Sequence, residues 1–175
     1  MKVVITAMLL ATGNFAAAAD LTDRKLTTDG LGPLRVGMSY TEFAKLGLRH
    51  GNPDFRNTDF CTYVSLEGVE GIGVYFTRDA GKEFRLSTVH VQKQDVSTPS
   101  GAHVGITLPE LKRIYGAKLT TERIRWPDQD LGLPERIFQV KSDSGRAMAF
   151  YPDDDDKNRV GMIHAGSSTV YIDCF

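Results

Sequence analysis

The spacing of apolar and polar positions changes period several times along the chain. Over 73–91, "GVYFTRDAGKEFRLSTVHV", apolar residues alternate on both sides of a polar centre: Val74 and Phe76 before it, Val89 and Val91 after it. Over 147–165, "AMAFYPDDDDKNRVGMIHA", Met148 and Phe150 precede the polar centre, and Ile163 and Ala165 follow it. A period of two on either side of a turn predicts a β-hairpin in each stretch. The segments "CTYVSL" (61–66), "RIFQVKS" (136–142) and "STVYIDCF" (168–175) are predicted as further strands.

Ahead of each hairpin the period lengthens to that of a helix. Phe43 and Leu46 recur in "LRVGMSYTEFAKLG" (34–47), and Leu108, Leu111, Ile114 and Tyr115 in "AHVGITLPELKRIYG" (102–116). Each run opens with a hydroxyl residue three before a glutamate, Ser39 with Glu42 and Thr107 with Glu110. That spacing is a capping box, in which hydroxyl and carboxylate satisfy backbone N–H groups at a helix start. Pro109 falls in the first turn, where its missing N–H costs nothing. Gly47 and Gly116 stand where a left-handed C-cap is expected.

The two halves align with each other. Val36-Gly37-Met38 matches Val104-Gly105-Ile106 at an offset of 68, and Phe76, Arg85, Val89 and His90 match Phe150, Arg159, Ile163 and His164 at an offset of 74. About six extra residues in the second copy fall in "RWPDQDLGLPER" (125–136). The expected fold is α+β: two degenerate helix-then-antiparallel-β repeats forming one sheet, with helices on one face and the other face partly open. The expected organisation is a signal peptide at 1–19, a tail at 20–28, and repeats at 29–95 and 96–175 within one compact domain.

The repeated glycine turn and capped helix, followed by antiparallel strands, resembles the small modules of the SmpA/OmlA type. It also resembles the tandem arrangement of β-lactamase inhibitory protein. The resemblance covers most of 29–174 in layout and about ten residues of motif per copy. It implies a helix-then-sheet fold, and protein binding or envelope assembly rather than catalysis. The lipoprotein cysteine of the OmlA type is absent and no inhibitor contact residue has a match, so no binding residue is carried over.

The amino terminus adds a compartment. "MKVVITAMLLATGNFAAAAD" has Lys2, an apolar run from Val3 to Ala11, and Ala17 and Ala19 at A-x-A positions. This reads as a secretory signal cleaved near Ala19, too short to span a bilayer. The protein is therefore expected to be periplasmic or secreted, without stable membrane insertion. In such a compartment Cys61 and Cys174, the two cysteines of the chain, are expected to form a disulfide. Loss of Lys2 leaves 20 basic against 22 acidic residues, which argues against a nucleic-acid partner.

The chemistry-bearing residues form no recognised catalytic motif, and no catalytic residue, cofactor or metal is assigned. "DDDDK" (153–157) lacks the ligand spacing of a calcium loop and is read as a solvated hairpin tip. His90 and His164 occupy equivalent positions and could lie near each other across the sheet, although no H-x-H or HExxH spacing supports a metal. Trp126, in a loop with Asp128 and Asp130, is either a core plug or part of a sugar-binding surface. By strand parity Tyr75 points opposite Phe76, onto the open face, and Tyr63 joins it there. Tyr63, Tyr75, His90, Trp126 and His164 are the candidate binding residues. The sequence points to an exported, non-catalytic protein-binding module, an inhibitor or envelope assembly or chaperone-like factor with a protein partner. The alternatives are a hydrolase acting on glycans or peptides, and a small-ligand binder.

Overall fold

The structure is a computed structural model that describes residues 21, 24–53, 60–79, 82–123 and 136–167. The expected signal region, Trp126, Cys174 and the strand predicted at 168–175 lie outside the described residues.

A small antiparallel sheet comes first: β1 (Leu26–Thr27), β2 (Gly30–Leu31) and β3 (Leu34–Arg35), in that order. Residues 26–27 belong to the segment expected as a tail, yet Leu26 is fully buried and paired with Leu31. The helix α1 (Tyr40–Ala44) follows, then β4 (Cys61–Ser65), β5 (Ile72–Thr77) and β6 (Arg85–Val91). The second half runs α2 (Leu108–Tyr115), β7 (Thr120–Arg123), β8 (Arg136–Lys141), β9 (Arg146–Pro152) and β10 (Val160–Ser167). Strands β4 to β10 make one antiparallel sheet in the order β4-β5-β6-β10-β9-β8-β7.

The α+β expectation overstates the helices. Among the described residues they hold five and eight residues against two sheets of three and seven strands, so the fold is mainly β. The capping boxes do form. Ser39 N–H donates to Glu42 at 2.7 Å and Glu42 N–H to the Ser39 hydroxyl at 3.2 Å. The Thr107–Glu110 pair repeats this at 3.2 and 3.3 Å. Helices this short are marginal alone, and tertiary packing holds them. Phe43 packs edge-to-face on Phe76 at 5.3 Å, and Tyr115 packs on Phe150 at 5.6 Å. Both helices thus lie against one sheet face, which also presents Val64, Val74, Val89, Ile163 and Ala165 to the core.

The same contacts recur in the two halves. Gly37 N–H donates to the Leu86 carbonyl and Gly105 N–H to that of Val160, each at 2.7 Å. Leu86 and Val160 answer by donating to Met38 and Ile106 at 2.8 and 3.0 Å. Arg85 and Arg159 each place Nη1 2.8 Å from the Gly37 or Gly105 carbonyl. Gly37 and Gly105 have φ of 94° and 89°, the region that favours glycine.

The aspartate run is an ordered tip between β9 and β10. Asp153 Oδ1 accepts from the N–H groups of Asp155 and Asp156 at 2.9 and 3.0 Å. Lys157 pairs with Asp154 at 3.0 Å, and Arg159 with Asp156 at 3.3 Å. These are local turn bonds of the kind aspartate favours.

Candidate functional site

The register assembles the candidate residues on the face opposite the helices. His90 of β6 is directly opposite His164 of β10, and Gly73 of β5 is opposite His90. One row along, Tyr75 stands opposite Thr88 on one side and Tyr63 on the other. Because side chains alternate along a strand, the two tyrosines and two histidines share a face.

Their rings form a continuous track. Tyr63 and Tyr75 are 5.0 Å apart, Tyr63 and His90 5.6 Å, and Tyr75 and His164 5.5 Å. The imidazoles are 4.9 Å apart between centroids, with His90 Nδ1 2.7 Å from His164 Nε2. Tyr63 is seated by an absence: a Cβ at Gly73 would stand 2.3 Å from its hydroxyl, so only glycine there lets the ring lie flat over the strand.

The track runs from surface to interior. Tyr63 is 45% exposed, whereas His90 and His164 are 8% and 4% exposed. Burial pushes the Tyr63 phenol up, and it pushes Tyr75 up to about 12 with a contribution from Tyr63 beside it. Burial lowers the His90 pKa against a smaller opposing effect of its Gln92 hydrogen bond. His164 is held well below the usual imidazole range by burial and then by His90. Both imidazoles are therefore neutral at pH 7, with one N–H donating and one nitrogen accepting between them.

This face is not open along its length. Ile137, Ala149 and Tyr151 form a second buried cluster, with Met162 packed on it. Tyr151 lies 5.1 Å from His164, and burial pushes its phenol far above the usual range. Sequence reasoning missed Tyr151, although its parity with Ala149, opposite His164, gives its face. Thr88 and Gln139 are also buried here, and Thr88 Oγ1 and Gln139 Oε1 have no hydrogen-bond partner among the described residues. Tyr75 is half-buried beneath Tyr63, so among the described residues the exposed aromatics are Tyr63 and Phe60, the latter 56% exposed just before β4.

Cys61 is buried at the start of β4, and no cysteine among the described residues is a free thiol. Arg85 and Arg159 each clamp a glycine turn and pair with a nearby acid, Glu83 at 3.4 Å and Asp156 at 3.3 Å. Among the described residues, no group of three or more His, Cys, Asp or Glu stands close enough to hold a metal ion. No helix there is long and apolar enough to cross a membrane.

No protein-family model matches the chain, and no curated protein matches it. Among solved structures, the uncharacterized protein yfeY from Escherichia coli is similar at 13% identity and a TM-score of 0.46. The match covers 81% of this chain and 99% of that one.

Proposed function

We propose that the chain is an exported, non-catalytic protein-binding module that recognises its partner through the Tyr63 end of the ring track. It acts in the periplasm or outside the cell, with a Cys61–Cys174 disulfide and two degenerate copies of a helix-and-hairpin unit joined at β6 and β10. The recurring bonds at Gly37 and Gly105 support the duplication. The resemblance to SmpA/OmlA modules and to the tandem inhibitory protein agrees with binding rather than catalysis.

The observation that carries the reading is the exposed ring of Tyr63. Tyr63 is backed by Tyr75 and seated on Gly73. Tyrosines with one face fixed and one free lose little entropy on contact, and tyrosine is enriched among interface hot spots. The histidines serve a hydrolase poorly. They are buried and bonded to each other, so their facing nitrogens are not offered to a substrate. A second reading, a binder of a small neutral polar ligand, rests on the unpartnered Thr88 and Gln139 oxygens.

The test is affinity capture of envelope and secreted proteins on immobilised protein, beside Tyr63→Ala and Tyr75→Ala variants of unchanged circular dichroism. One saturable partner lost with Tyr63→Ala supports the module. Undiminished capture by both variants, or none by the wild type, sinks it.

A further inference from the structure

The ring track holds a pair of phenols in contact. Tyr63 and Tyr75 stand directly opposite each other in adjacent antiparallel strands. Their ring centroids are 5.0 Å apart and their planes are tilted by 50°. That distance lies in the range of about 4.5–7 Å at which aromatic side chains pack on one another. The far side of Tyr75 is taken by the rings of His90 and His164, at 6.2 and 5.5 Å. Tyr63 rests over Gly73, its hydroxyl 2.3 Å and its Cε2 2.6 Å from where a Cβ would stand.

Two phenols held ring to ring have a chemistry that one alone lacks. A phenol that loses an electron and a proton becomes a phenoxyl radical, with its unpaired spin on the oxygen and on the ortho and para carbons. In tyrosine the para carbon bears the rest of the side chain, so coupling falls to the ortho carbons, Cε1 and Cε2. An isolated surface radical must meet a second molecule before it couples. Here the second ring is already in place, which turns a bimolecular step into one within the chain. Exposure is graded to suit. Tyr63 is 45% exposed and meets a dissolved oxidant, Tyr75 is half-buried against it, and Tyr151 is screened at 2%. Burial raises the pKa of both Tyr63 and Tyr75, so at neutral pH they are phenols and each electron leaves with a proton.

We propose that Tyr63 and Tyr75 are an oxidative cross-linking site that forms a dityrosine between β4 and β5. Two one-electron oxidations take an electron and a proton from each phenol. A carbon–carbon bond then forms between one ortho carbon of each ring. The hydrogen on each of those carbons moves to the ring oxygen, which restores both phenols. The chain loses two hydrogens in all, and hydrogen peroxide acting through a haem peroxidase accepts them and leaves as two waters. The bond ties β4, the first strand of the seven-stranded sheet, to its neighbour and fixes the Tyr63 ring. The site needs no partner and stands whether or not Tyr63 recognises one.

The experiment treats purified protein at micromolar concentration with hydrogen peroxide and a haem peroxidase. Dityrosine fluorescence, intact mass, denaturing electrophoresis and peptide mapping are then read. Expected is a monomer that has lost two hydrogens, with a peptide of β4 joined to one of β5 through Tyr63 and Tyr75, in a yield unchanged on dilution. Tyr63→Phe and Tyr75→Phe, which remove only a hydroxyl, should each abolish the monomeric cross-link, and Tyr151→Phe should leave it. Mapping on the wild type decides the outcome even if a variant folds poorly. Cross-links found only between chains, a monomeric cross-link through another tyrosine, or no dityrosine at all overturns the proposal.

Discussion

His90 and His164 stand directly opposite each other where β6 meets β10, and their facing nitrogens are 2.7 Å apart. The contact joins the chain's two halves through a single shared hydrogen bond. It works only while at least one imidazole keeps a lone pair for the other.

Acid should therefore loosen this seam. Both imidazoles are depressed in the folded state, His90 by burial and His164 by burial and then His90. Unfolding lets them take up protons at the ordinary histidine pKa, so the unfolded state binds more protons below about 6.5. Their contribution to stability is complete above that value and is lost as pH falls toward their folded pKa values. Each proton adds a slope of about 1.4 kcal/mol per pH unit. Thermal melts from pH 7.5 to 5 should decline in the wild type and flatten in a His90→Gln/His164→Gln variant. Equal slopes in the two proteins would refute the assignment.

Two glycines of the same sheet should differ widely in what alanine costs them. At Gly166 φ is 144°, and a Cβ would stand 2.1 Å from the Ser87 carbonyl oxygen in the neighbouring strand. Backbone cannot yield there without breaking the seam, so Gly166→Ala should cost on the order of 3 kcal/mol or more. At Gly73 the obstructing atom is the end of the half-exposed Tyr63 side chain, which can swing outward. Gly73→Ala should cost about 1 kcal/mol or less while displacing Tyr63 and weakening partner capture. Urea titrations with capture assays separate the two.

Local patterns carried much of this fold in the sequence. The capping boxes and the two hairpins depend on residues within a few positions of each other, and all four form. The second helix followed its pattern, running from Leu108 to Tyr115 with Gly116 as its cap, whereas the first stops at Ala44 with Lys45 as its cap, short of the expected Gly47. Strand β7, "TTER", is exposed throughout and carries no apolar alternation to betray it. The strands of the small sheet have two residues each, too few to show a period. Parity placed Tyr75, joined by Tyr63, on the open face, and the repeat offset put His90 near His164; that all four share one face is visible only in the strand register. Parity could not say that Ile137 and Tyr151 close part of that face, since parity assigns sides and not what lies over them. Tyr151 was further masked by Pro152 and the aspartates that follow, which read as turn.

The two capping boxes satisfy the same pair of backbone N–H groups and should be similar in energy. Ser39→Ala and Thr107→Ala each remove an acceptor for a backbone N–H, and each should cost about 0.5–2 kcal/mol by urea titration. The Glu42 carboxyl is held below its usual range first by the Ser39 backbone, and that of Glu110 first by the Thr107 side chain. Their contribution is present above the ordinary carboxylate pKa and is lost as pH falls through the lower folded values. This acid limb lies below the histidine limb. Glu42→Gln/Glu110→Gln should reduce it and leave the higher one intact.

The four aspartates of the hairpin tip should not be interchangeable. Asp153 accepts two backbone hydrogen bonds, and Asp156 accepts one from Asn158 while pairing with Arg159. Asp154 has only an exposed pair with Lys157, worth little, and the Asp155 carboxylate has no side-chain partner among the described residues. Gly161 crowds Asp153 in turn, since a Cβ there would meet Asp153 Cα at 2.7 Å. A run kept merely for solubility would tolerate alanine equally at every position. A run that builds the turn would not. Asp153→Ala should cost about 1 kcal/mol and Asp155→Ala less than about 0.5 kcal/mol, from the usual worth of a local hydrogen bond. Matching urea midpoints for the two variants would return the run to a solvated tip without a structural role.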